Sequence, residues 1–117
     1  MSDEPVLVSR LTDSFGVDFE FLNDTYSTYI EDTAERIVEL QRFVAAQDAE
    51  QTSFFAHAIK GSSLNAGADD LAQLAGDLEL LAMKGDQSQS VALTDAITNE
   101  FDVARQFILK YLDSICP

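Results

Sequence analysis

The stretch Asp18-Phe-Glu-Phe-Leu-Asn-Asp-Thr-Tyr-Ser-Thr-Tyr-Ile-Glu-Asp-Thr-Ala-Glu-Arg-Ile-Val-Glu-Leu-Gln-Arg-Phe-Val-Ala-Ala46 decides the fold. Its apolar positions are Phe19, Leu22, Tyr26, Ile30, Ile37, Leu40 and Val44, with Thr33 on the same row. Steps of three and four residues place them on one face of a single long helix. Asp18 suits the N-cap, where a carboxylate accepts a hydrogen bond from a free first-turn N–H. Asp24, Glu31, Asp32, Glu35 and Arg36 fall on the opposite, solvated face.

The same periodicity continues outward. Downstream, a helix is predicted over about Ala49 to Asn65, and Asn65-Ala66-Gly67-Ala68 reads as a tight turn in which Gly67 can take a positive φ. A further helix over about Asp69 to Lys84 carries the core row Leu71, Leu74, Ala75, Leu78 and Leu81. Gly85-Asp86-Gln87-Ser88 is a loop. The last helix, about Gln89 to Ile115, carries Leu93, Ile97, Phe101, Ala104, Ile108, Tyr111 and Ile115. Upstream, a short helix is predicted from Pro5 to Ser14, with Pro5 in its first turn and Gly16 at its end. Long amphipathic helices joined by short loops give an all-α fold: an up-down antiparallel four-helix bundle, with the short additional N-terminal helix capping one end. Residues 1–117 are read as one domain.

Composition narrows the function. A hydrophobic share of 46% supports a packed core rather than disorder. Twenty-one acidic against seven basic residues leave a net charge of −14. Such a chain is repelled by nucleic acid and by anionic membrane surfaces, and no Lys/Arg stripe offsets this. No apolar run approaches the roughly 20 residues that span a bilayer. The start, Met1-Ser2-Asp3-Glu4, lacks the pattern of a secretory signal. The lone Cys116 cannot form an internal disulfide, which fits a reducing compartment, and the expected location is the cytoplasm.

Chemistry concentrates in Phe54-Phe55-Ala56-His57-Ala58-Ile59-Lys60-Gly61-Ser62-Ser63-Leu64-Asn65-Ala66-Gly67. His57 shares a helix face with Lys60 and Gly61, bordered by Ser53, Phe54 and Leu64. Phe55, Ala56, Ile59 and Ser63 make the core row on the other side, so His57 is expected to face solvent. A neutral imidazole is a good nucleophile near neutral pH. Lys60 supplies a point charge for an incoming phosphoryl group, and Gly61 leaves space for a partner's approach. On the next helix, Ala72, Gly76, Glu79 and Met83 form a row beside the core row. If that row abuts the histidine, Glu79 accepts from Nδ1–H, fixing the tautomer and freeing Nε2. Gly76 is then expected to give a docking partner room.

Each residue also has a plainer reading. A lone histidine, a solvated lysine and a surface glutamate are ordinary features of a helical protein, and Phe54 and Leu64 fit peripheral core as well as a docking patch. Gly61 resists the plain reading, because a mid-helix glycine costs about 1 kcal/mol relative to alanine.

The run His57-Ala58-Ile59-Lys60-Gly61-Ser62-Ser63, followed by Gly67, Leu71 and Leu78-Glu79, resembles the signature of the histidine-containing phosphotransfer (HPt) domain family. The segment Leu11 to Ala46 resembles the family's opening, in which a short helix and a glycine precede a long acidic helix. The resemblance implies a phosphocarrier in a multistep two-component relay. His57 would take a phosphoryl group on Nε2 from the aspartyl phosphate of a receiver domain and pass it to another receiver. It also implies that Lys60 stabilises the phosphoryl group, Gly61 provides clearance and Glu79 orients the ring. Family members often carry a further basic residue one turn beyond the glutamate; here that position is Met83, with Lys84 adjacent.

The expected partners are receiver domains of response regulators or hybrid histidine kinases, met through Phe54, Gly61, Leu64, Gly76 and Met83. No cofactor is expected in the chain itself; Mg²⁺ is expected in the receiver. The protein is read as a monomer without autonomous catalysis. A different class of function, a helical adaptor that docks a receiver or kinase without transfer, competes with this. A di-metal bundle needs Glu-x-x-His pairs on facing helices, and the chain has one histidine. The dimerisation domain of a histidine kinase lacks support, since no glutamate-then-arginine-proline pattern follows His57.

Overall fold

The computed structural model describes residues 4–117; Met1, Ser2 and Asp3 of the acidic start lie outside the described residues. Five helices follow one another: α1 (Ser9–Phe15), α2 (Phe19–Ala45), α3 (Ala49–Ala66), α4 (Asp69–Met83) and α5 (Ser90–Ile115). The described residues contain no strand. α2 packs against α3 and α5, α4 packs against the same two helices, and α1 lies against α3. No helix among the described residues is long and apolar enough to cross a membrane.

The helix starts follow from local chemistry. Asp18 caps α2 as expected, its carboxylate accepting from the Phe21 N–H, and Asp48 caps α3 by accepting from the Gln51 N–H. α3 ends at Gly67, whose φ of 87° is left-handed and suits glycine. Gly67 answers a second demand, because a Cβ there would collide with the Leu7 carbonyl oxygen. The Leu7 N–H donates to the Gly67 carbonyl at 2.9 Å, and Arg10 donates to the Leu64 carbonyl and both carboxylate oxygens of Asp69. These bonds tie the N-terminal segment to the α3–α4 turn. They also explain a difference from the sequence reading: residues 5–8 run as bends and a turn, and α1 begins at Ser9 rather than Pro5. Val6, fully buried, is drawn into the core by this non-helical path.

The core is continuous and apolar, centred on Leu22, Tyr26, Leu40, Ile59, Leu71, Leu78, Ile97 and Ile108. Burying one such side chain contributes about 1.5–3 kcal/mol. Several rows turn slightly from their expected positions: α4 buries Ala72, expected beside the core row, and Ala82, and leaves Leu74 and Leu81 half-buried. α2 buries Tyr29 where Ile30 was expected and leaves Ile30 half-buried; α5 buries Thr94 and Leu112, with Leu93 and Tyr111 half-buried. A helix gripped by two neighbours buries a wider stripe than a single row of threes and fours. Tyr29 is tolerated inside because its hydroxyl pairs with Ser63 Oγ on α3 at 2.8 Å.

Candidate functional site

α3 is the element that presents the site. Its inner side buries Thr52, Ala56, Ile59, Ser63 and Ala66. The pitch of the helix then turns His57, Lys60 and Gly61 outward. The His57 side chain is 67% exposed. Phe54 and Leu64 are exposed, as is Met83 across on α4. The two readings of Phe54 and Leu64 are thereby separated: both sit on the surface, not in the core.

α3 and α4 fold back against each other about the Gly67 turn, which brings Glu79 to His57 across 22 residues of sequence. His57 Nδ1 and Glu79 Oε2 are 2.6 Å apart. An ionised carboxylate only accepts, so Nδ1 carries the proton and Nε2 is the free nitrogen. The other oxygen, Oε1, lies 3.0 Å from Lys60 Nζ. One carboxylate thus holds both the ring and the cation. The Glu79 side chain is only 12% exposed. Burial pushes its carboxyl upward, but hydrogen bonds from Lys60 and His57, with their charge, outweigh burial and hold it below its ordinary value.

The pairing of Glu79 with Lys60 was not foreseen. Nothing in a linear pattern reports it, because it depends on which row of α4 meets α3. The two glycines also differ. Around Gly61 a Cβ would meet open space, whereas at Gly76 it would sit 3.2 Å from Lys60 Cδ. The direction a side chain would take at Gly76 is therefore filled by the Lys60 stem. Beside the cluster runs a groove of about 380 Å³ whose walls include Lys60, Leu64, Gly76 and the exposed Leu80. Leu80 escaped the sequence reading, since a leucine next to a core row looks like core. At the position one turn beyond Glu79, Met83 is exposed and followed by exposed Lys84.

Chemically, the arrangement is a nucleophile with a set tautomer, a neighbouring cation and an approach lane. Among the described residues no group of three or more His, Cys, Asp or Glu side chains is placed to hold a metal ion.

Comparison with known proteins identifies the family and the fold. A family profile described as Hpt domain matches residues 24–107. No curated protein matches the sequence closely. The crystal structure of histidine-containing phosphotransfer protein B (HptB) from Pseudomonas aeruginosa PAO1 superposes with a TM-score of 0.84. It shares 27% sequence identity, over 97% of this chain and 98% of that one. The profile spans most of the chain and includes His57, Lys60 and Glu79, and the chain belongs to the Hpt domain family, the phosphocarriers of two-component phosphorelays.

Proposed function

We propose that this chain accepts a phosphoryl group on His57 Nε2 from a receiver-domain aspartyl phosphate and delivers it to the aspartate of another receiver. The observation that carries the reading is the 2.6 Å contact between His57 Nδ1 and Glu79, on a side chain that is 67% exposed. The Nε2 lone pair forms the N–P bond as the P–O bond of the acyl phosphate breaks. The bonding pair leaves with the receiver's aspartate. Nδ1 keeps its proton, so the ring becomes a phosphorylated imidazolium, and the Glu79 carboxylate compensates that charge. Delivery reverses these steps on a second aspartate. Lys60 offsets part of the charge on the phosphoryl oxygens. The receiver supplies the Mg²⁺ and the electrophile.

Phe54, Leu64 and Met83 form the apolar surround on which the receiver seats, and Gly61 is the open point that lets its active-site loop come close. The supporting frame is an up-down four-helix bundle of α2 to α5 with α1 at one end, a single domain that works as a monomer in the cytoplasm. It has no catalysis of its own. Incubation with a phosphorylated receiver tests the reading. Label that is acid-labile, base-stable and absent in His57→Gln supports it. A receiver that binds the chain but never labels it would instead identify a docking adaptor.

A further inference from the structure

We infer that Gly76 is a positioning residue for Lys60: its missing side chain lets the lysine stem lie across α4, so that Nζ reaches Glu79. The inference rests on the transfer role proposed for His57 and adds a residue to it. Gly76 precedes Glu79 by three positions and lies one turn away on the same face of α4. A Cβ at Gly76 would lie 3.2 Å from Lys60 Cδ and 4.0 Å from Cγ. The first distance is tighter than ordinary van der Waals contact, so the stem would have to give way by a few tenths of an ångström. Nζ, further along the same chain, would then be displaced from its 3.0 Å contact with Glu79 Oε1. The carboxylate would keep His57 while its second anchor is weakened, and the cation would no longer be held in its place beside the ring.

The contrast with Gly61 supports this. Gly61 sits on the same face with nothing near its Cα side, as clearance for an incoming molecule requires. Gly76 is half-buried and already has an occupant. Alanine is also the better helix former, so Gly76→Ala gives no reason for α4 to weaken. A lost rate in that variant would therefore report on Lys60 and not on the fold, which circular dichroism would verify.

The test measures initial rates of phosphoryl acceptance against the concentration of a phosphorylated receiver, for the wild type, Gly76→Ala, Lys60→Ala and the double variant. The expected result is a saturated rate lowered by about tenfold in Gly76→Ala, less than the ~100-fold that a 1 Å misplacement can cause. The half-saturating receiver concentration should stay the same, and the effect should vanish in the Lys60→Ala background. A raised half-saturation with an unchanged saturated rate would overturn the inference and make Gly76 a docking residue. An unchanged rate, or an equal loss with Lys60 already removed, would overturn it too. An independent readout is the nuclear Overhauser contact between the Gly76 Hα protons and the Lys60 side-chain methylenes. It should be present in the wild type, and its absence refutes the inference even if the chain takes no phosphoryl group at all, an outcome that would separately refute the transfer role.

Discussion

The two sides of α3 contrast sharply although they share one backbone. The inner side, with Ala56, Ile59 and Ser63, is sealed against α2 and α4 and takes the polar pair of Tyr29 with Ser63 out of water. The outer side, with His57, Lys60 and Gly61, stays accessible and is ordered by a single carboxylate from α4. Packing governs the first; a few directed hydrogen bonds govern the second. A phosphoryl acceptor needs this division, because a reactive side chain placed on the inner side could not be reached. Placed on the outer side, it can be altered without dismantling the bundle.

The largest expected effect breaks function while sparing structure. His57→Gln should abolish phosphorylation by a receiver yet change stability by no more than about 0.5 kcal/mol, the usual scale for exposed substitutions. Urea denaturation and far-ultraviolet circular dichroism would check this, and a large loss of helix would contradict the outward placement. The reverse case is Ile59→Ala, two residues along and fully buried. It should cost about 2–5 kcal/mol in urea unfolding, and a cost under about 1 kcal/mol would mean that the two sides are not so different.

A smaller effect comes from the buried polar pair. Tyr29→Phe leaves Ser63 Oγ without its partner and should cost about 1–3 kcal/mol. Adding Ser63→Ala should recover part of that loss, since Ser63 Oγ is then no longer stranded. The same region should respond to alkali. Burial pushes the Tyr26 and Tyr29 phenols up to about 12. The folded state therefore holds protons that the unfolded chain releases near 10. The stability this gives is complete below about pH 10 and is lost as the pH rises through about 12. Tyr29→Phe should make alkaline unfolding less steep.

The smallest effect belongs to the outer side and has the opposite direction. Glu79 is held below its ordinary value by Lys60 and His57 despite its burial. The folded state thus releases that proton more readily than the unfolded one. The resulting stability is present above the ordinary carboxylate range and is lost as the pH falls through the lowered value. In Glu79→Gln this acid-side decline should shrink, and a pH–stability profile that matches the wild type would separate Glu79 from the cluster's energetics.

Much of the site was legible because its members lie close in sequence. His57, Lys60 and Gly61 sit within one helical turn and a helix must place them together. Glu79 was reachable by inference, since Gly67 marks a turn and two rows of α4 could be ranked. That Glu79 also binds Lys60, and that Gly76 lies under the lysine stem, depended on side-chain reach across the α3–α4 seam, which periodicity does not encode. Tyr29 and Leu112 were missed for a related reason: each lies beside an expected row, and only the neighbouring helices decide how wide the buried stripe becomes.

By itself, the amino-acid order determined five helices, most of their ends, the outward aim of His57 and the family signature around it. These are set within a few turns of one chain, by 3.6-residue periodicity, capping carboxylates and a left-handed glycine. Tertiary structure alone decided where α1 begins, through the bond from Leu7 to Gly67, and how one carboxylate came to serve both a histidine and a lysine. Those outcomes arise between segments far apart in the chain, where distance and rotation follow from packing and not from local spacing.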